Sequence, residues 1–245
     1  RKKLKNPNGL HLGVPGAGKS FAGKRELVNV FLATNDRIII LDPMGEYSPL
    51  VRQFGQDGLV VEIAPNSPHH INPMDLDVSI DDEVSPISLK CDFILSLMEL
   101  IVGGKDGLQP VERTIIDRCA RMVYRDFLND PDNTPMPTLQ NLYDLLCQQT
   151  EPEAKRLATA LEIYVSGSLN IFNHKTNVDY RNARVVCFDL KRLGAGLRTI
   201  AMHIINDLMN SQVSHNFARG IATWCYYDEF HVLLQDELTS SYFVT

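Results

Sequence analysis

A lysine and a serine placed directly behind spaced glycines can hold a polyphosphate, and residues 13–20 are such an arrangement. Gly13-Val14-Pro15-Gly16-Ala17-Gly18-Lys19-Ser20 fits the phosphate-loop pattern G-x-x-x-x-G-K-[ST] at every position. Glycines let successive backbone N–H groups turn inward around phosphate oxygens, where side chains would stand in the way. The Lys19 ammonium would reach the β- and γ-phosphates, and the Ser20 hydroxyl would ligate Mg²⁺. Gly13, Val14, Pro15, Gly16, Ala17, Gly18, Lys19, Ser20 and the adjoining Phe21 are the expected contacts of a nucleoside triphosphate.

A second set of chemical groups closes the chain. Thr223-Trp224-Cys225-Tyr226-Tyr227-Asp228-Glu229 is an apolar run ending in two acids. Asp228 would hold Mg²⁺ and its waters beside Ser20, and Glu229 would polarise the attacking water as general base. Asp189, at the end of Arg184-Val185-Val186-Cys187-Phe188-Asp189, is a rival for the metal but lacks the adjacent glutamate. Asp42 and Glu46, in the turn Asp42-Pro43-Met44-Gly45-Glu46-Tyr47, read either as further site acids or as a helix N-cap and a surface acid.

These groups need a scaffold that brings distant segments to one edge. Gly9–Leu12 reads as a short strand end and Phe21–Ala33 as a helix whose N-terminal dipole favours phosphate. Arg37–Asp42 and Leu59–Ile63 are apolar runs suited to strands buried on both faces of a parallel sheet. From Pro86 to about Gly167 the spacing turns helical, with breaks at residues 103–107 and 129–137. Val111, Ile115, Cys119, Met122 and Val123 outline one buried face, and Thr138 is a candidate N-cap. Strands resume at Arg184, followed by a long helix carrying Leu197, Ile200, Ile204, Ile205 and Leu208. His69 and His70, adjacent in a loop without a third ligand, are expected to be solvated rather than metal-binding.

Composition narrows the partners. The chain has 245 residues, 44% hydrophobic and 22% charged, with net charge −6. That balance argues against a protein built mainly to coat nucleic acid. The five cysteines lie far apart with no C-x-x-C pair, which argues against metal clusters and disulfides and suits a reducing cytoplasm. No membrane span is expected, since the longest apolar stretch, Phe93–Val102, is short and contains Glu99. Both ends read as cut, so a longer parent protein is expected.

Gly13–Ser20, Leu41-Asp42-Pro43-Met44-Gly45-Glu46-Tyr47, Ile71-Asn72-Pro73-Met74-Asp75-Leu76 and Tyr227-Asp228-Glu229-Phe230-His231 together resemble the large conjugation ATPase of type IV secretion systems. This is the VirB/TraC type of the HerA–FtsK superfamily, in a form similar to that of Gram-positive conjugative elements. The resemblance covers nearly the whole chain. It implies an α/β, RecA-like P-loop NTPase with a mainly parallel central sheet flanked by helices and an all-α subdomain inserted between strands. The core would occupy residues 1–85 and 171–245, and the insert residues 86–170. It also implies ATP and Mg²⁺ as cofactors, and a homo-oligomer, commonly a hexamer. Such motors are cytoplasmic, peripheral at the cytoplasmic face of the plasma membrane, and docked there by other secretion components. The resemblance also implies an N-terminal docking domain and closing strands beyond Glu229 with a polar sensor residue, which are expected to lie outside this sequence. A piece so bounded is expected to bind nucleotide and to hydrolyse it slowly or not at all.

Similar motors carry an arginine, supplied to a neighbouring subunit's nucleotide, near the segment Asp189–Arg198. Arg198 is the first candidate and Arg192 the second; the alternative is that both are solvated charges at a helix start. Glu46 is a further catalytic candidate. Two other functions use the same motifs. A HerA/FtsK-type DNA translocase would contact DNA, with salt-dependent binding and DNA-stimulated turnover. A nucleotide-gated scaffold would bind ATP without repeated cycles.

Overall fold

Arg37–Asp42 forms strand β1, and its composition explains its place. Three consecutive isoleucines favour extended backbone through their branched Cβ, and all three are buried. The computed structural model describes residues 8–14, 16–78, 85–104 and 107–230. Strands β2 (Gly58–Glu62), β3 (Val185–Asp189) and β4 (Thr223–Tyr227) complete a four-stranded sheet in the order β2-β3-β1-β4. Every neighbouring pair is parallel, so all four carboxyl ends share one edge.

The two faces of the sheet carry different layers. Ile38 and Ile40, with Val185 and Cys187, pack against Leu27 and Val30 of helix α1 (Lys19–Ala33) and Val51 of the short helix α2 (Ser48–Val51). Ile39 and Leu41, with Val186 and Phe188, join the larger core on the other face. That layer is built from α3 (Pro86–Met98), α4 (Pro110–Asn129), α5 (Leu139–Cys147), α6 (Pro152–Val165) and α7 (Ala195–Ala218). Each isoleucine buried in this way contributes about 1.5–3 kcal/mol, so losing either layer would cost on the order of the whole stability of a domain.

Local sequence sets the helix starts. Pro86, Pro110 and Pro152 stand in the first turns of α3, α4 and α6, where a missing N–H is harmless. Gln109 with Glu112 and Thr138 with Asn141 close capping boxes on α4 and α5. Helix α7 then ties the layer together. His203 meets Ser96 Oγ of α3 at 2.7 Å, Asp207 pairs with Lys90 at 2.7 Å, and Asn206 accepts the Tyr227 hydroxyl of β4 at 3.0 Å.

Several local expectations need correction. Gly9–Leu12 has no ladder partner among the described residues, and Leu10 and Leu12 are exposed. His11 Nε2 instead lies 3.3 Å from Glu26 Oε2 of α1. Helix α1 begins at Lys19, two residues before the expected Phe21. On α4 the buried stripe is Ile115, Ile116, Cys119, Ala120, Tyr124 and Phe127, whereas Val111 and Met122 are exposed. At 100° per residue those two fall beyond the edge of the stripe, and Tyr124 is drawn inward by its bond to the Met74 carbonyl at 2.7 Å. The loop histidines act as braces: His69 Nδ1 accepts the Glu62 N–H, and the His70 ring lies 4.3 Å from that of His174. Among the described residues no helix is long and apolar enough to cross a membrane.

Candidate functional site

The phosphate-loop residues stand at the start of α1, ahead of the sheet. Gly16 and Gly18 adopt φ of +82° and +84°, a region that L side chains rarely enter. Gly13 is favoured for a different reason: a Cβ there would lie a tight 3.2 Å from that of Ala17 and 3.5 Å from Lys19 Cγ. The Ala17 N–H returns to the Val14 carbonyl at 3.1 Å, closing the turn, and Lys19 and Ser20 open the helix. Val14 and Phe21 are exposed beside it, while Pro15 lies outside the described residues.

At the carboxyl edge every strand ends in an acid. Asp42 closes β1, Glu62 β2 and Asp189 β3, while Asp228 follows β4 directly. The register sets Asp42 beside Asp189 and Glu62 beside Asp189, and the Asp228 N–H bonds to the Leu41 carbonyl at 3.0 Å. Such a row repels itself unless each charge finds donors.

Each of the four finds at least one donor, but not for every oxygen. Asp42, fully buried, accepts the N–H groups of Glu46, Tyr47 and Ser48 at 2.9, 2.9 and 3.1 Å. Asp189 accepts the Ser48 hydroxyl at 2.7 Å and the Lys191 N–H at 3.0 Å. Glu62 pairs with Arg192 at 2.6 Å. Asp228 Oδ2, by contrast, is buried with no hydrogen-bond partner among the described residues. Burial first, then the charges of Glu46, Asp42 and Glu229, push its carboxyl up to about 6.

This distribution separates the acids chemically. Asp42 spends its oxygens on the N–H groups of the turn ahead of α2, but it is not the helix N-cap, a position that Tyr47 occupies. Asp189 is likewise committed. Asp228 Oδ2 is the buried oxygen of the row that has no donor among the described residues. Glu46 reaches toward α1, its Oε2 4.0 Å from Lys24 Nζ, one turn along from Ser20. Glu229 has φ of +51°, the only positive value at a non-glycine among the described residues. Left-handed backbone at a glutamate costs on the order of 1 kcal/mol and collects at functional positions. His231 lies outside the described residues.

The two arginines differ in availability. Arg198 folds back on its own turn, Nη2 donating to the Leu193 carbonyl at 2.8 Å, and is partly buried. Arg192 is exposed, its guanidinium resting on Glu62. Three contacts here escaped sequence reasoning: the Ser48 bridge, the Glu62–Arg192 pair and the approach of Tyr47 to Gly23. Three acids of the row had a sequence signal, since the runs before Asp42, Asp189 and Asp228 end in an acid, whereas Leu59–Ile63 carries Glu62 one residue before its end.

Metal fit follows from the same geometry. No group of three or more His, Cys, Asp or Glu among the described residues could hold an ion alone. Magnesium bound to a nucleotide needs only one or two protein ligands beside phosphate oxygens and water, which a hydroxyl and one carboxylate oxygen without a donor can supply.

A parallel sheet flanked by helices, with a glycine-turned phosphate loop opening α1, defines the class: a phosphate-loop nucleotide-binding fold. Residues 11–191 match the central domain of the helicase HerA, and the chain belongs to that family. The structure of VirB4 of Thermoanaerobacter pseudethanolicus superposes with a TM-score of 0.78 at 22% sequence identity, covering 94% of this chain. This chain spans 62% of that one. No curated protein sequence matches the chain.

Proposed function

We propose that this chain is the ATP-binding and ATP-hydrolysing motor domain of a conjugative type IV secretion system. The observation that carries the reading is Asp228. It is the acid of the row whose buried oxygen lacks a donor, and it stands next to the strand end that faces the phosphate-loop helix. Residues 13–21 bind the triphosphate, with Lys19 balancing β- and γ-phosphate charge. Ser20 and Asp228 hold Mg²⁺, which when bound neutralises charge on the phosphates. Glu229 takes the proton of the attacking water, and Glu46 is a second acid within the same electrostatic cluster. The fold likeness to VirB4 supports placing the motor, as an oligomer, with other secretion components at the cytoplasmic face of the membrane.

A DNA translocase is the second reading, favoured by the match to a helicase domain. The test is ATP turnover by the full-length protein, with and without duplex DNA, beside Lys19→Ala. Lys19→Ala should lose most nucleotide affinity and all turnover. Equal binding and hydrolysis by that variant would remove the loop from the site, and strong stimulation by DNA would favour translocation.

A further inference from the structure

We propose that Tyr47 is a positioning residue for the nucleotide site, fixing where helix α1, and with it Lys19 and Ser20, stands relative to the acid row. The proposal rests on the nucleotide-site reading above.

Gly23 lies three residues beyond Ser20, so the two share one flank of α1. A Cβ on Gly23 would fall 2.5 Å from the Tyr47 hydroxyl oxygen, closer than real side chains approach, yet 3.6 Å from Cζ, an ordinary contact. The hydroxyl is therefore the Tyr47 atom that a side chain at Gly23 would strike, beside the Leu27 and Val30 packing that holds α1 on the sheet. Gly23 carries no positive φ, so its lack of a side chain serves this approach and not a turn.

Tyr47 can set a position because it is itself held. Its N–H is bonded to Asp42 Oδ2 at 2.9 Å, and the residue is 6% exposed. Lys24, the next residue on α1, places its ammonium 5.5 Å from the Tyr47 ring centroid and 4.0 Å from Glu46. Burial, followed by the charges of Asp228, Asp42 and Glu46, pushes the phenol well above its ordinary range, so it stays a neutral hydroxyl beside the carboxylates. Asp42 thus grips the turn, the turn presents Tyr47, and Tyr47 meets the helix that carries the phosphate-binding lysine. A helix shifts as a unit, and misplacement by about 1 Å at a site can cost up to about 100-fold.

The paired substitutions Gly23→Ala and Tyr47→Phe test this directly. Titrations use a fluorescent ATP analogue with Mg²⁺ and with EDTA, with thermal melting of each variant. Gly23→Ala should weaken Mg²⁺-dependent binding about tenfold or more, with little change in Tm. Tyr47→Phe alone should weaken it about threefold, because the ring remains but the stop is gone. Combined, the two should bind at least several-fold better than Gly23→Ala alone, since Phe removes the clashing oxygen. Wild-type affinity in Gly23→Ala would overturn the proposal. So would a loss equal with and without Mg²⁺ that Tyr47→Phe fails to restore, which marks simple packing damage. Lys19→Ala separates the two readings. If it binds as wild type, both fall, because Tyr47 then positions nothing. If it loses binding while Gly23→Ala does not, only the Tyr47 reading falls.

Discussion

The Ser48 hydroxyl stands 2.7 Å from Asp189 Oδ2 and 3.3 Å from Asp42 Oδ2, joining acids at the ends of adjacent strands. A hydroxyl donates one proton, and the shorter distance assigns it to Asp189. Ser48→Ala leaves Asp42 with its backbone donors but strips that oxygen of Asp189. The expected loss is about 1–3 kcal/mol of unfolding free energy, read by urea denaturation. A change within about 0.5 kcal/mol would show that water replaces the serine without cost.

Asp228 gives a pH-dependent prediction for the nucleotide-free protein. Its folded-state carboxyl lies at about 6, above the ordinary 3.8, chiefly through burial. The folded state therefore binds this proton more tightly than the unfolded chain. The resulting stability is present below pH 3.8 and is lost as pH rises through about 6. Asp228→Asn removes the charge and should be more stable than wild type at about pH 8, by about 1 kcal/mol after allowing for solvent screening. That corresponds to a Tm rise of about 2–4 °C. The difference should shrink toward about pH 4, and a constant difference across the range would contradict the assignment.

Asp228 and Glu229 should separate in nucleotide assays. Glu229→Gln keeps shape and hydrogen bonding but cannot accept a proton, so binding survives while kcat falls about 100-fold or more. Asp228→Ala should instead weaken Mg²⁺-dependent binding. Wild-type turnover in Glu229→Gln would move the base role to Glu46.

An arginine acting across a subunit boundary predicts complementation. Such a residue supplies about 10³–10⁵-fold in phosphoryl transfer. Arg198→Ala and Arg192→Ala are each expected to spare nucleotide affinity, and the one that acts in trans should abolish turnover in the assembled protein. Mixing that variant with Glu229→Gln subunits should restore activity, because some interfaces then hold both intact groups. No recovery at any ratio, with assembly confirmed by light scattering, would count against action in trans. Arg192 needs only to release Glu62, whereas Arg198 must leave the Leu193 carbonyl and a partly buried position.

Local chemistry made much of this fold legible. The isoleucine run of β1 and the glycines of the phosphate loop both act through their own backbone preferences. Gly9–Leu12 misled because a strand needs a neighbour, and alternation of apolar residues cannot report one. The contacts of Ser48 with Asp189 and of Tyr47 with Gly23 leave no periodic trace. They join separate elements, and only the packed sheet brings them together.

The pairing order of β1 has a consequence for synthesis. Both of its neighbours, β3 and β4, arrive far later in the chain, as Ile38 pairs with Val185 and Trp224. On the ribosome, β1 leaves the exit tunnel with its ladder groups unmet and stays so until β3 appears. Helices α3 to α6 emerge meanwhile and can form through local contacts before any ladder closes. During that interval the exposed isoleucine run is an edge open to other nascent chains, a natural point for chaperone capture.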